Sequence, residues 1–159
     1  MKPASENAGI TSGRSELRAP RSVSSTPEGS AKDGAVRERV ESLAQAIRDK
    51  DIDALMTHYA PDVVVFDIMP PLHVRGADAY RKNFERWFAS MQGPINYEMH
   101  DLRISLSESH AFSFCLCHVM GTRKGGEKTD YWVRVTACLQ QANGQWLVAH
   151  EHISMPATM

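Results

Sequence analysis

The chain has 159 residues, of which 42% are hydrophobic and 23% charged, so it is long enough for one globular domain and a flexible segment but not for two domains. Its 18 basic and 19 acidic side chains leave a net charge of -1, and the sequence lacks the Lys and Arg clusters with interleaved aromatics that bind nucleic acid. Because it also lacks an apolar run that could span a bilayer and an apolar secretory signal, we expect a cytoplasmic protein without membrane or nucleic-acid partners.

The N-terminal segment differs in composition from the rest of the chain. Residues 1–32 are rich in Ser, Pro, Gly and Arg and show neither helical nor strand periodicity. We therefore predict a disordered tail, followed by a single domain over residues 33–156.

Two helices are predicted to open the domain. Asp33 is expected to cap the first, because apolar residues recur at helical spacing between residues 36 and 47. A shorter second helix, capped by Asp51 or Asp53, should carry Leu55 and Tyr59 and stop at Pro61. The two helices are expected to pack side by side.

A buried strand over residues 63–67 and a third helix after Gly76 come next. The apolar stripe that predicts this helix comprises Tyr80, Phe84, Trp87, Phe88 and Met91. The remaining predicted strands cover residues 95–106, 109–121, 129–141 and 145–155. Hairpin turns are indicated at Gly125-Gly126 and at Asn143-Gly144.

This order of elements predicts an α+β fold. Three N-terminal helices should pack on a curved, mostly antiparallel sheet and form a cone with an apolar pocket, as in cystatin-like and nuclear transport factor 2-like folds. Pockets of this kind hold small ligands.

Three stretches of the sequence resemble a known family. Residues 51–67 (DIDALMTHYAPDVVVFD), followed by Arg75-Gly76, resemble the SnoaL-like polyketide cyclase and ketosteroid isomerase-like branch of the nuclear transport factor 2-like superfamily. Residues 130–136 (DYWVRVT) and 144–154 (GQWLVAHEHIS) resemble strands of the same family. The resemblance covers residues 34–155 and is more specific for fold than for reaction.

The resemblance implies a role for Asp67, whose position at the end of the first strand matches the general base of ketosteroid isomerase. The positions of that enzyme's oxyanion-binding tyrosine and second acid correspond to Leu43 and Thr136, which do not supply the same strong hydrogen bonds. Steroid isomerisation is therefore not expected. A small apolar carbonyl or polycyclic compound is the implied ligand, with no cofactor.

Two interpretations of Asp67 stay open. Strand alternation puts it on the same face as Val63 and Val65, and on the wall of a dry pocket its carboxylate would be suited to take a proton from a carbon next to a carbonyl. In the alternative, Asp67 caps the turn before Pro70-Pro71 and its oxygens accept backbone N–H groups.

His150 and His152 share one face of the last predicted strand. They are candidates for hydrogen bonding or proton transfer in the pocket, or they are structural histidines. With His118 or His100 as a third ligand they would suit a metal, but the resemblance implies none, and we predict no metal site. A one-residue bulge would exchange the faces, moving His150 out of the pocket and Glu151 into it.

Trp132, Arg134 and Thr136 share a face of the preceding strand. Arg134 could hold a carboxylate or enolate oxygen beside an indole wall, or it could pair at the surface with an acid such as Glu151. The other candidate ligand-binding residues are Tyr59, Phe66, Trp87 and His118.

Two functions are compatible with these patterns. The first is an isomerase or cyclase-like lyase that uses Asp67 as a general base, with Arg134, His150 or His152 stabilising the developing oxyanion. The second is a non-catalytic ligand-binding or dimerisation module. Under both we expect a homodimer through the open sheet face, where Cys115 and Cys117 would provide uncharged surface. All three cysteines are predicted to be buried, reduced thiols.

Overall fold

The computed structural model describes residues 27–157, with side chains from residue 31 onward. Its elements are α1 Pro27–Asp49, α2 Ile52–Met56, β1 Tyr59–Phe66, β2 Val74–Arg75, α3 Ala77–Ser90, β3 Met91–Leu106, β4 His110–Arg123, β5 Lys128–Ala142 and β6 Gln145–Ser154. No helix in this part of the chain is long and apolar enough to cross a membrane.

The strands form one six-stranded sheet in the order β2-β1-β6-β5-β4-β3. Only β1 and β6 run parallel, and every other neighbouring pair is antiparallel. The helices lie against one face of the sheet, with α1 on β3 and β6 and α3 on β1. This arrangement confirms the predicted α+β fold with a mostly antiparallel sheet.

The core lies between the helices and the inner face of the sheet, which is the face that points toward α1 and α3. Val36, Ala44 and Ile47 of α1 and Tyr80 and Phe84 of α3 are buried against it. The sheet contributes Val63, Val65, Ile95, Tyr97, Ala111, Cys117, Val119, Val133, Leu139 and Val148.

The first helix begins earlier than the sequence predicted. α1 already includes residues 27–32, which were assigned to the tail, and Asp33 lies within the helix instead of capping it. Ala31 and Lys32 are good helix formers, which lets the helix extend toward the N-terminus. The rest of the predicted tail, residues 1–26, lies outside the described residues.

The second helix ends before Tyr59, contrary to the prediction. Asp51 caps α2 as expected, its side chain accepting the N–H of Ala54 at 3.0 Å. The helix ends at Met56, and Tyr59 is the first residue of β1. Pro61 is accommodated inside β1 because the pairing with β6 is irregular there, and proline tolerates such positions.

A bulge in β6 decides which side chains face the interior. Leu139 of β5 pairs with Val148, whereas the preceding Cys138 pairs with His150, so Ala149 is an extra residue in the ladder. Trp146 and Val148 are buried before the bulge, and after it the buried residue is Glu151. The bulge thus turns Glu151 inward and His150 outward, which is the exchange that the sequence analysis considered.

Candidate functional site

A small, mostly apolar cavity lies between α1 and the inner face of the sheet. Its volume of ≈ 30 Å³ is enough for one or two water molecules, whereas ligand sites usually measure several hundred Å³. The lining residues are Arg39, Val40, Leu43, His58, Tyr97, Met99, Ser113, Cys115, Val135, Ala137, Leu139, Val148 and Glu151. A molecule larger than water therefore enters only if part of this lining moves.

Glu151 places a buried carboxyl group in the wall of this cavity. The residue is 4% exposed, and its Oε2 accepts hydrogen bonds from the hydroxyls of Tyr80, at 2.9 Å, and Tyr59, at 3.2 Å. The two tyrosine rings meet edge to face with centroids 5.2 Å apart, which fixes both hydroxyls. No described residue donates to Oε1, so this oxygen is the one available to a bound molecule.

The environment of Glu151 suits proton transfer near neutral pH. Burial raises the pKa of Glu151 to about 7, opposed by the two tyrosine hydrogen bonds and assisted by the charge of Asp67. Burial and the nearby Glu151 carboxylate raise the pKa of Tyr59 and of Tyr80 well above the usual range, so both tyrosines remain donors. A carboxyl group with a pKa close to ambient pH can act as either acid or base.

His58 and Ser113 supply further polar groups in the cavity. Nδ1 of His58 lies 3.0 Å from the carbonyl oxygen of Ala54 and 3.1 Å from that of Leu55, whereas its Nε2 has no partner among the described residues. Burial, and then the charge of Arg39, lower the pKa of His58, which keeps its ring neutral. Ser113 is buried on β4, and no described residue hydrogen-bonds to its hydroxyl.

Asp67 does not line this cavity. Its Oδ1 accepts the backbone N–H of Ile68 at 2.7 Å and its Oδ2 lies 3.4 Å from Nδ2 of Asn83 on α3. The alternative interpretation, a carboxylate occupied by the turn after β1, is therefore the one that matches the geometry. Asp67 acts on the cavity only through its charge, which contributes to the raised pKa of Glu151.

The candidates on β5 point away from the cavity, contrary to the predicted orientation. Trp132, Arg134 and Thr136 are exposed on the outer face of the sheet, because the alternation of β5 directs Val133 and Ala137 inward instead. In the β4–β5 register Arg134 lies opposite Leu116 on this outer face, so it cannot pair with the buried Glu151.

The three candidate histidines also lie outside the cavity. Nε2 of His118 is 2.7 Å from Asp130, and its ring stacks on Trp132 with centroids 4.5 Å apart. Nδ1 of His150 donates to the carbonyl oxygen of Val64 at 2.7 Å, and His152 is exposed. His150 and His152 face outward because the bulge reverses the alternation of β6.

The aromatic candidates separate into three groups. Tyr59 contacts Glu151 and belongs to the site. Phe66 is 42% exposed and packs on the rings of His150 and His152 outside the cavity. Trp87 is half-buried on α3 against two phenylalanines, so it is a packing residue.

The cysteines divide between the two faces. Cys115 and Cys117 are buried on the inner face, with sulfur atoms 3.5 Å apart, whereas Cys138 is exposed, which corrects the prediction that all three are buried. The predicted use of Cys115 and Cys117 on the open face is also wrong, because β4 directs them inward. Within the described residues, no cluster of His, Cys, Asp and Glu is arranged to hold a metal ion.

Comparisons with known proteins agree with this architecture. Residues 36–158 match the model of a family described as SnoaL-like domain. No curated protein matches the chain. An NTF2-like protein of unknown function from Pseudomonas putida KT2440 is 30% identical, with a TM-score of 0.74 over 82% of this chain and 90% of that chain.

Two more distant solved structures share the fold alone. A ketosteroid isomerase-like protein from Erwinia carotovora atroseptica is 21% identical, with a TM-score of 0.66 over 76% of this chain and 93% of that chain. The association domain of C. elegans CaMKII is 15% identical, with a TM-score of 0.67 over 82% of this chain and 100% of that chain. One fold thus appears in an isomerase-like protein and in an association domain.

Proposed function

The chain belongs to the SnoaL-like domain family, and from this premise we propose that it is an isomerase- or lyase-type enzyme in which Glu151 transfers a proton on a small, largely apolar carbonyl compound. The observation that carries the proposal is the buried carboxyl of Glu151, held by two tyrosine hydroxyls on the wall of an apolar cavity, with a pKa of about 7. Carboxyl groups with a strongly shifted pKa in a cavity are characteristic of catalytic sites.

The proposed chemistry begins with the ionised form of Glu151. Its Oε1 takes a proton from a carbon next to a carbonyl group, which leaves an enolate and a neutral carboxylic acid. The acid then returns the proton to the enolate, at the same carbon in a saturated ketone or at the far carbon of a conjugated enolate in an unsaturated one, so that protons balance over the cycle. The hydroxyl of Ser113 is the donor best suited to the developing enolate oxygen, because it lines the same cavity.

The size of the cavity limits the substrate and requires a motion. Since ≈ 30 Å³ holds only water-sized groups, the substrate enters by displacing α1, which carries Arg39, Val40 and Leu43 of the lining. A small cyclic or aryl ketone requires a smaller displacement than the polycyclic compounds that the sequence suggested. The proposal therefore commits to small carbonyl compounds.

The proposal is tested by hydrogen exchange into a substrate. The protein is incubated in D₂O with cyclohexanone or acetophenone, and deuterium incorporation next to the carbonyl is followed by proton NMR. We expect protein-dependent exchange whose rate rises with an inflection near pH 7, as the carboxylate form of Glu151 is populated. Glu151→Gln should lose it almost completely, a fall of roughly 10²- to 10⁴-fold.

Asp67→Asn provides the matched control, because it removes the carboxylate that the sequence alone suggested as the base. This variant should retain most of the exchange activity. The proposal is wrong if neither ketone exchanges faster with protein than without it, or if Asp67→Asn abolishes the exchange and Glu151→Gln does not.

A second candidate function, association through the outer face of the sheet, is favoured by a separate observation. Four large apolar side chains lie close together on β4 and β5 and are between 40% and 47% exposed. They are Phe112, Phe114, Leu116 and Trp132, and we call them the outer aromatic patch. Contiguous apolar surface of this kind is typical of interfaces. A homodimer through this patch is compatible with catalysis in the cavity, since the two lie on opposite faces of the sheet.

A further inference from the structure

The ring of His58 is fixed in one protonation form by its surroundings. The residue follows α2, and its Nδ1 lies within hydrogen-bonding distance of the carbonyl oxygens of Ala54 and Leu55. A carbonyl oxygen only accepts hydrogen bonds, so the hydrogen of the neutral ring is on Nδ1. Nε2 consequently carries a lone pair and can only accept.

This acceptor is buried and has no partner. His58 is 2% exposed, and among the described residues its Nε2 is the one side-chain nitrogen or oxygen that is itself fully enclosed and has no hydrogen bond. Buried polar groups nearly always have partners, and an acceptor left unpaired in an apolar interior is costly. Nε2 of His58 therefore needs a hydrogen-bond donor, and no described residue supplies one.

The nearest cationic side chain is already committed elsewhere. Arg39 lines the same cavity, but its Nε donates to the carbonyl oxygen of Trp146 at 2.9 Å and its Nη2 donates to that of Thr57. Because His58 lines the cavity, a molecule bound there is a suitable source of the missing donor.

His58 and Glu151 line the cavity from adjacent segments of the chain. His58 immediately precedes β1, Glu151 lies on β6, and these two strands run parallel and adjacent. Both residues line the cavity, whose other walls are mostly apolar. A molecule bound there would lie beside both His58 and Glu151.

We infer that the molecule bound in this cavity carries a hydroxyl group that donates its hydrogen to Nε2 of His58. The inference rests on the proposed function and narrows its substrate class from small carbonyl compounds to small carbonyl compounds that also carry a hydroxyl group. His58 is a specificity-determining residue here: it accepts a hydrogen bond and does not take part in the proton transfer. An apolar compound without a donor would leave Nε2 unpaired and is discriminated against for that reason.

The test uses three probes of similar shape: phenol, anisole and fluorobenzene. Their dissociation constants are measured by ligand-observed NMR titration, and the ring nitrogens of His58 are followed in long-range proton–nitrogen correlation spectra. Phenol should bind about tenfold more tightly than the other two probes. Only phenol should move the nitrogen chemical shift of Nε2 toward that of a protonated ring nitrogen.

Two variants of His58 separate the acceptor from its structural role. In His58→Asn the amide nitrogen can replace Nδ1 as donor to the two carbonyls, but nothing replaces Nε2, so the preference for phenol should fall to about twofold or less. In His58→Gln the amide oxygen can reach the position of Nε2 and should restore the preference. Ala137→Val, which narrows the cavity, should weaken the binding of all three probes.

The outcomes distinguish this inference from the proposed function. Equal binding of phenol and anisole, with no change at Nε2, would mean that a structural water satisfies His58, and would overturn the inference while leaving the proposal for Glu151 intact. If no probe binds in the cavity, the inference is wrong, whereas the proposed function is decided separately by the deuterium exchange of the ketones. A preference for phenol that persists in His58→Asn would also overturn the inference.

Discussion

The natural sequence should lose stability as the pH rises from about 5 to about 8, and replacing Glu151 with glutamine should prevent most of this loss. In the folded protein the pKa of Glu151 is raised from its usual value of 4.5 to about 7. Between these two values the folded state holds a proton that the unfolded chain has released, so the free energy of unfolding falls with rising pH. The full loss is about 3 kcal/mol above the folded-state pKa, and it is absent below pH 4.5.

Glutamine stays neutral at every pH in this range, and its amide oxygen can still accept a tyrosine hydrogen bond. The variant should therefore be more stable than the natural sequence at about pH 8 and similar to it at about pH 5. Urea denaturation at both pH values measures the effect. Glu127→Gln is the control, because Glu127 is an exposed acid in the turn between β4 and β5 and should leave the profile unchanged. If the free energy of unfolding depends on pH in the same way in Glu151→Gln and in the natural sequence, the pKa of Glu151 is not raised by folding.

Introducing a charge into the outer aromatic patch should convert a dimer into a monomer. Phe114 is central in the patch and 47% exposed, and in a dimer its ring would be buried against the partner. Phe114→Glu would place a carboxylate in that apolar interface, which we expect to weaken association by about 2–4 kcal/mol, or roughly 30- to 1,000-fold. Size-exclusion chromatography with light scattering at micromolar concentration measures the change in mass.

Leu72→Glu is the matched control for this experiment. Leu72 is a large apolar residue that is 92% exposed in the segment between β1 and β2, away from the patch. The control variant should remain a dimer. A natural sequence that is already monomeric at this concentration, or a Phe114→Glu variant that stays dimeric, would rule out association through this face.

The order and type of the elements could be predicted because local signals specify them. Asn143 and Gly144 both adopt positive φ, at 50° and 76°, as the tight turn between β5 and β6 requires, and this dipeptide located the last hairpin. The two acids Asp51 and Asp53 likewise indicated the start of α2, and Asp51 is the one that caps it. The motifs that resemble the SnoaL-like family extended these local signals to the whole domain.

The site could not be predicted in the same way, because it depends on which face of each strand points inward. β4 carries Phe112 and Phe114 on one face and Ser113 and Cys115 on the other, so hydrophobicity alone does not identify the core side. The smaller residues face inward under α1, and the aromatic residues are left outside. No sequence signal located the bulge at Ala149, which directs Glu151 to the cavity.

The role of Asp67 also could not be predicted from the sequence alone. Its partners are the next backbone N–H and an asparagine on α3, and the latter contact depends on tertiary structure. His58 was missed because a lone histidine between a helix and a strand gives no signal of its own. The cytoplasmic location, the absence of a nucleic-acid partner and the disordered tail stay predictions.

The pKa of Glu151 decides whether its carboxyl can serve as the proposed proton-transfer group, and it is measured from the side-chain carboxyl carbon by NMR titration, with Glu151→Gln used to assign the resonance. We predict a value of about 7 that rises further in Tyr80→Phe, because this variant removes a hydrogen bond that favours the ionised form. A value near the usual 4.5 in the natural sequence would mean that the carboxyl is solvated and not held in an apolar cavity, and would contradict the proposed role of Glu151.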